Sequence, residues 1–453
     1  MTPYRIGSGA GYAGDRIDPA ADLAERGELD ALVFECLAER TIALAQLRRA
    51  TDPAAGYDLM LKARMRAVLP ACVRNGVTII TNMGAANPMA AGQVVLDVAR
   101  ELGIQRLRVA VVTGDDVLPW AQVHNAPLID SSDSVSSLDG RLISANAYLG
   151  ADALLPALRA EANVVITGRV ADPSLFLAPL MLHFGWAADD WPRLGQGLLV
   201  GHLLECAAQV SGGYLADPGH VDMPDLHRVG FPLAEVSADG SAVITKLPGT
   251  GGRVDRLSCT AQLLYEVEDP ANYLQADVVG DFSQVRFSQL APDRVHVHGA
   301  SGHARPEQLK VTLGYRDGFM GEGQISYAGP GARARGELAL SILRHRLQDA
   351  KLSHGLTGLE HRAELIGVNA MHGPQLGADR EPYEVRLRLA VRCSTCAQAE
   401  AVGQEVEALY LNGPAGGGGV TQSVREVIAA ASTLVPRSSV RPRCDILELH
   451  TGH

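Results

Sequence analysis

Glu35, Asn82, Asp115, Asp116, Arg169 and Asp172 are the residues whose types and placement could together do chemistry. Each follows a short aliphatic run: Ala31 to Phe34 before Glu35, Val77 to Thr81 before Asn82, Leu107 to Thr113 before Asp115 and Asp116, and Asn163 to Thr167 before Arg169 and Asp172. Runs of this kind read as buried strands. In a parallel sheet the loops beyond the carboxyl ends of the strands converge, and ligands bind there. Several carboxylates facing one arginine can supply a general base, a general acid and an anchor for an anionic or carbonyl substrate. The same oxygens, Asp115 and Asp116 with Glu35, would equally suit a hard divalent cation such as magnesium. The sequence leaves both open. His124, His202 and His220 are dispersed without a ligand spacing, so no zinc site is expected.

Gly9, Gly11 and Gly14 match GxGxxG after a short strand, Tyr4 to Ile6, and Glu35 follows at about the distance of a ribose-binding acid. The next helix signal, Asp18-Pro19, comes too late for a dinucleotide fold, which speaks against nicotinamide or flavin and for a turn that lets backbone approach a ligand. His202, Glu205 and Cys206 share a helix face, yet no nucleophile elbow surrounds them, and they read as core. Lys246 could meet a phosphate or carboxylate, or simply stand solvated at a hairpin end. Cys393 and Cys396 read as buried thiols at a strand-to-helix junction.

The elements that must position these residues alternate strand and helix through the first part of the chain, with helices over Tyr57 to Asn75 and Met89 to Leu102. This predicts an α/β domain with a mostly parallel sheet over residues 1–283, including a connector or insertion near 186–283 that holds a hairpin at Pro232 to Lys246. Residues 284–453 read as a smaller α+β domain, ferredoxin-like with a split βαβ order: strands near 295–298, 309–315, 362–369, 384–392 and 444–449, helices near 331–347 and 396–411. Gly416 to Gly419 reads as a flexible or ligand-approaching loop.

The chain of 453 residues carries 51 acidic and 40 basic side chains, a net charge of −11, with no basic cluster, which excludes nucleic acid as an expected partner. The longest apolar stretch, Leu175 to Trp186, is interrupted by Pro179, His183 and Gly185, and no secretory signal is visible, so neither a membrane nor export is expected and the cytosol is the default compartment. Seven scattered cysteines fit reduced thiols, and a chain of this size is expected to form a homo-oligomer.

Seven segments together resemble one family. They are Arg5 to Gly11 with Gly14-Asp15, Leu37 to Thr41, Thr81 to Pro88 (with Gly84 and Asn87), Thr167 to Asp172, Gly201 to Cys206, Lys246 to Gly252, and Ile325 to Pro330. In this order they are similar to the acyclic terpene utilisation (AtuA) family over nearly the whole chain. The resemblance implies catabolism of branched acyl thioesters. Gly9, Gly11, Gly14, Asp15, Gly84 and Asn87 form a candidate ligand-binding set; the cofactor stays open, with a divalent cation possible and no metal ligands assigned. The activity expected from the carboxylates and the resemblance is a lyase of the hydratase or dehydratase type on a small-molecule acyl or hydroxy-acid substrate. In that scheme Asp115 or Asp116 is the base, Glu35 the acid, Asn82 the holder of the enolate oxygen, and Arg169, oriented by Asp172, the anchor. Longer relatives carry a further C-terminal domain. Its absence here implies a separate small subunit that supplies it, or a non-catalytic acyl-binding role; a metal-assisted hydrolase is the third expectation.

Overall fold

The computed structural model describes residues 2–373, 375–376 and 381–450. They form two compact units, one of residues up to Gly314 together with those from Ala430, the other Tyr315–Ala429.

The first unit is α/β. Its ten-stranded sheet is built on β1 (Tyr4–Ala10), β2 (Ala31–Phe34), β3 (Thr78–Thr81), β4 (Arg106–Thr113) and, after the short β5 (Leu142–Ala147) that lies outside this sheet, β6 (Val164–Thr167). These run parallel in the order β1-β2-β3-β6-β4, with Val33 opposite Ser8 and Ile80, and Ile166 opposite Thr81 and Val111. Every residue of β2 and β6 is buried, as expected of strands covered on both faces. Leu23 of α1 (Asp18–Arg26), Met65 and Val68 of α3 (Leu61–Asn75), and Val95 of α4 (Pro88–Glu101) pack with Leu32, Ile79, Val109 and Ile166; α2 (Glu39–Thr51) follows β2. Gly76, in the left-handed region at φ 72°, ends α3. Helices Ser174–Phe184 and Trp191–Glu205 pack on each other and on β1.

The structure extends this parallel core with antiparallel strands on both sides. The hairpin expected in a connector is β7 (Pro232–Val236) with β8 (Ala242–Lys246), and β7 pairs directly with β1. Strand Arg294–His298, expected in the second domain, pairs with β8, and Arg286–Ala291 lies outside it. The strand expected near 444–449 as the last of the second domain is Arg443–His450, and it pairs with β4 in the first unit. The boundary expected after residue 283 therefore lies inside the first unit.

The second unit keeps the β-α-β-β-α-β order with different end strands. Its sheet runs His361–Ile366, Glu384–Cys393, Gln308–Ala328, Gly418–Pro436, the spatial order of a split βαβ, and helices Ala332–Gln348 and Cys396–Glu407 pack against Glu384–Cys393. Gly418 and Gly419 open the last strand rather than lying in a free loop, and of the two thiols at the junction Cys393 is buried whereas Cys396 is exposed. Among the described residues no helix is long and apolar enough to cross a membrane.

Candidate functional site

Glu35, Asn82, Arg169 and Asp115 follow β2, β3, β6 and β4, four neighbouring strands, at one edge of the sheet. Glu35 Oε1 accepts hydrogen bonds from Asn82 Nδ2 at 2.9 Å and from the Leu37 N–H at 2.8 Å. Asn82 Oδ1 accepts from the Cys36 N–H at 2.7 Å. Asn82 thus holds Glu35 through one of its two amide hydrogens while its oxygen is taken by the Cys36 N–H.

Arg169 is 1% exposed. Its Nη2 donates to Asp172 Oδ1 at 2.8 Å, and its guanidinium lies 4.0 Å from the ring centroid of Tyr148. Nε and Nη1, both buried, have no acceptor. The Tyr148 hydroxyl donates to Glu39 Oε1 at 2.5 Å, and Lys310 Nζ stands 3.3 Å from the same carboxylate.

The charges around this arginine do not balance. Burial, reinforced by the Glu205 charge, pushes the Glu35 carboxyl above the usual range against the pull of Arg169 and its hydrogen bonds. Burial, with Glu35, Glu39 and Glu266 adding to it, raises Asp172 to about 8 despite Arg169. Glu205 is pushed up by burial to about 7 in spite of its bond from His202. Burial also opposes charge at Glu39, but the Tyr148 hydroxyl and the cations Arg169 and Lys310 win and hold it down near 2. The Asp172 and Glu39 side chains are 34% and 42% exposed whereas Glu35 and Glu205 are nearly buried, so neighbouring carboxyls of one group are pushed in opposite directions, the condition for dividing acid and base roles among them.

Asp115 faces a neighbouring space. Its Oδ2 accepts from the Arg169 N–H at 2.9 Å and from Asn146 Nδ2 at 2.8 Å, and burial raises its carboxyl to about 6. A Cβ on residue 168 would meet the Asp115 carboxylate at 2.5 Å, which is why the chain turns there through Gly168. Asp116 Oδ1 accepts from the Leu118 N–H at 3.0 Å. Both acids line a cavity of about 250 Å³ with Gln46, Arg49, Asn87 and Asn146, beside the start of α4. The structure therefore gathers Glu35, Asn82, Arg169 and Asp172 into one group and sets Asp115 and Asp116 in an adjoining cavity, tied to it through the Arg169 backbone.

The glycines do different work from that expected. The space left by Gly9 is filled by the Phe34 ring, that of Gly11 by the Cys206 backbone, that of Gly14 by Tyr12 and that of Gly84 by the Thr167 carbonyl. Asp15 accepts from the Gly11 and Arg16 N–H groups, and Asn87 caps α4 while donating to the carbonyls of Pro53 and Ala55. Lys246, neither solvated nor free for an anion, is buried on Asp293 and the Thr250 carbonyl. Among the described residues no three His, Cys, Asp or Glu side chains are grouped to hold a metal ion, so Asp115, Asp116 and Glu35 do not form the donor set of the magnesium alternative.

Glu39, Tyr148, Lys310 and Glu205 escaped the sequence reading as site residues. Glu39 lies four residues past Glu35 within Leu37 to Thr41, and Glu205 lies in the His202 to Cys206 segment, where it shares a helix face with His202.

Neither a curated protein nor a solved structure matches the chain. The sequence profile described as "Acyclic terpene utilisation family protein AtuA" matches residues 4–446, which span both units and every residue of the site. The chain belongs to the acyclic terpene utilisation family AtuA.

Proposed function

We propose that the chain is a lyase of the hydratase or dehydratase type, acting on a branched or hydroxy acyl thioester or a related hydroxy acid. The observation that carries this reading is Arg169: a buried guanidinium whose Nε and Nη1 have no acceptor, set beside carboxyls that burial pushes up. The Nε and Nη1 hydrogens suit the oxygen of an acyl carbonyl or carboxylate on which negative charge develops. In the direction of water loss, Glu35 gives its proton to the departing hydroxyl as the carbon–oxygen bond breaks. Asp172, in its ionised form, takes the proton from the adjacent carbon, and the carbon–carbon double bond forms. Asp172 replaces Asp115 in this role because it shares the Arg169 group, whereas Asp115 is held by the Arg169 N–H and Asn146. Asn82 positions Glu35.

The test is turnover of branched 3-hydroxyacyl and 2-enoyl thioesters, followed by formation or loss of the conjugated double bond, with a thermal-shift screen alongside. Glu35→Gln should lower turnover by about 10²- to 10⁴-fold. Thioesters that raise the melting temperature but are never turned over would overturn the lyase reading in favour of an acyl-binding subunit. Turnover that Glu35→Gln leaves intact would remove Glu35 from the chemistry.

A further inference from the structure

A cavity of about 300 Å³ opens at the carboxyl end of β4, and the proposed reaction does not use it. Thr113, the last residue of β4, lines it with Gly114, Asp116, Ser439, Arg441 and Arg443. Thr113, Gly114 and Asp116 also line the cavity that holds Asp115, so the two spaces adjoin. Four of these side chains can donate hydrogen bonds: the hydroxyls of Thr113 and Ser439 and the guanidinium groups of Arg441 and Arg443. Among the described residues none of the four has a hydrogen-bond or ion-pair partner. Asp116 is the acid of the cavity, and its Oδ1 is taken by the Leu118 N–H at 3.0 Å.

The fold holds these donors in place. Arg443 lies opposite Thr113 in the antiparallel ladder that joins Arg443–His450 to β4. Gly114 sits in the left-handed region at φ 103°, and a Cβ there would run into the Arg441 carbonyl, so the chain entering that strand is seated on the turn that leaves β4. Arg441 and Arg443 are exposed and two residues apart along extended chain, which sends their side chains out on one side, with about 7 Å between their backbone positions.

We propose that this cavity is an oxyanion subsite that takes the phosphoryl group of a small phosphorylated ligand. Each guanidinium offers a fork of N–H groups that matches two phosphoryl oxygens, and the two hydroxyls donate to the oxygens left over. The rest of the ligand runs past Asp116 into the adjoining cavity, along the strand ends where ligands of parallel sheets lie. The subsite requires neither Glu35 nor Arg169, so it stands apart from the lyase reading.

The experiment is isothermal titration calorimetry of the full chain with pyrophosphate, inorganic phosphate and acetate as probes. Pyrophosphate should bind one per chain and at least about tenfold more tightly than acetate, which cannot fill both arginine forks. Arg441→Gln and Arg443→Gln should each weaken pyrophosphate by about tenfold or more. Arg106→Gln should leave it unchanged: Arg106 is equally exposed and unpartnered among the described residues, but it stands at the other end of β4. Absence of saturable binding by either phosphate, acetate binding as tightly as pyrophosphate, or an equal loss in Arg106→Gln would overturn the proposal. Pyrophosphate binding that Arg441→Gln and Arg443→Gln abolish, in a protein that turns over no thioester, would sink the lyase reading and leave the subsite standing.

Discussion

Arg169 in the first unit and Arg388 in the second each sit among carboxylates, with opposite balance. Arg388 donates Nε to Glu322 at 2.8 Å and Nη1 to Glu364 at 3.0 Å, and its side chain is 27% exposed. Burial opposes charge at Glu322, yet the bonds from Arg388 hold its carboxyl below the usual range. Around Arg169 the side-chain exposure is 2%, hydrogens go unpaired, and Glu35 and Asp172 are pushed up rather than down. Ion pairs that close on themselves hold a sheet face together. A buried cation whose neighbouring acids are pushed up and whose hydrogens go unspent is the pattern expected of a functional site rather than of a structural ion pair.

Replacing each arginine by methionine sharpens that contrast. Arg169→Met strands buried acids without their cation, and chemical denaturation should show a loss of about 3–5 kcal/mol. The loss should be greater at pH 8 than at pH 6, where the acids can protonate instead. Equal losses at the two pH values would mean that the carboxyls around Arg169 do not exchange protons in this range. Tyr148→Phe keeps the ring under Arg169 but removes the hydrogen bond to Glu39, and should cost about 1 kcal/mol or less by the same measurement. Arg388→Met, partly open to solvent, should cost under about 1 kcal/mol and show little dependence on pH between 6 and 8.

The pH dependence of stability separates the two kinds of carboxyl by sign. Asp115 and Glu205 bind protons more tightly folded than unfolded, so their contribution is complete below about pH 4 and is lost as pH rises through about 6 and 7. Glu39, held down near 2, contributes in the opposite sense: its share is lost only as pH falls from its unfolded value towards 2. Differential scanning calorimetry should therefore show a melting temperature that declines from pH 5 to pH 8, with a shallower decline in Glu205→Gln. A melting temperature that climbs over that range would contradict the upward shifts.

What the sequence disclosed follows from how local each signal is. β2, β3, β4 and β6 are legible as unbroken aliphatic runs, and the polar residue after each run marks the edge where the site lies. Strands β7, β8 and Arg443–His450 are legible as strands but not as members of this sheet, because their partners β1 and β4 lie far away in the chain. β5 is not legible as a strand because Ser144 and Asn146 interrupt its apolar pattern, although both are buried. Tyr148 and Lys310 join the site through contacts that no spacing encodes. Asn82 is legible at its strand end but its bonds to Glu35 and the Cys36 N–H are not, since an amide's partners are fixed only once neighbouring strands are in register.

The pairing of Arg443–His450 with β4 also bears on how the protein is made. The ribosome delivers β4 long before the strand that covers it, and the whole second unit emerges in between. Throughout that interval the nascent first unit offers the open backbone edge of β4, with Val109, Val111 and Val112 along it, to any passing chain. Synthesis that halts before Arg443 should therefore yield a product whose fate is set by chaperone supply and aggregation, even though every strand beneath Glu35, Asn82 and Arg169 has already been translated.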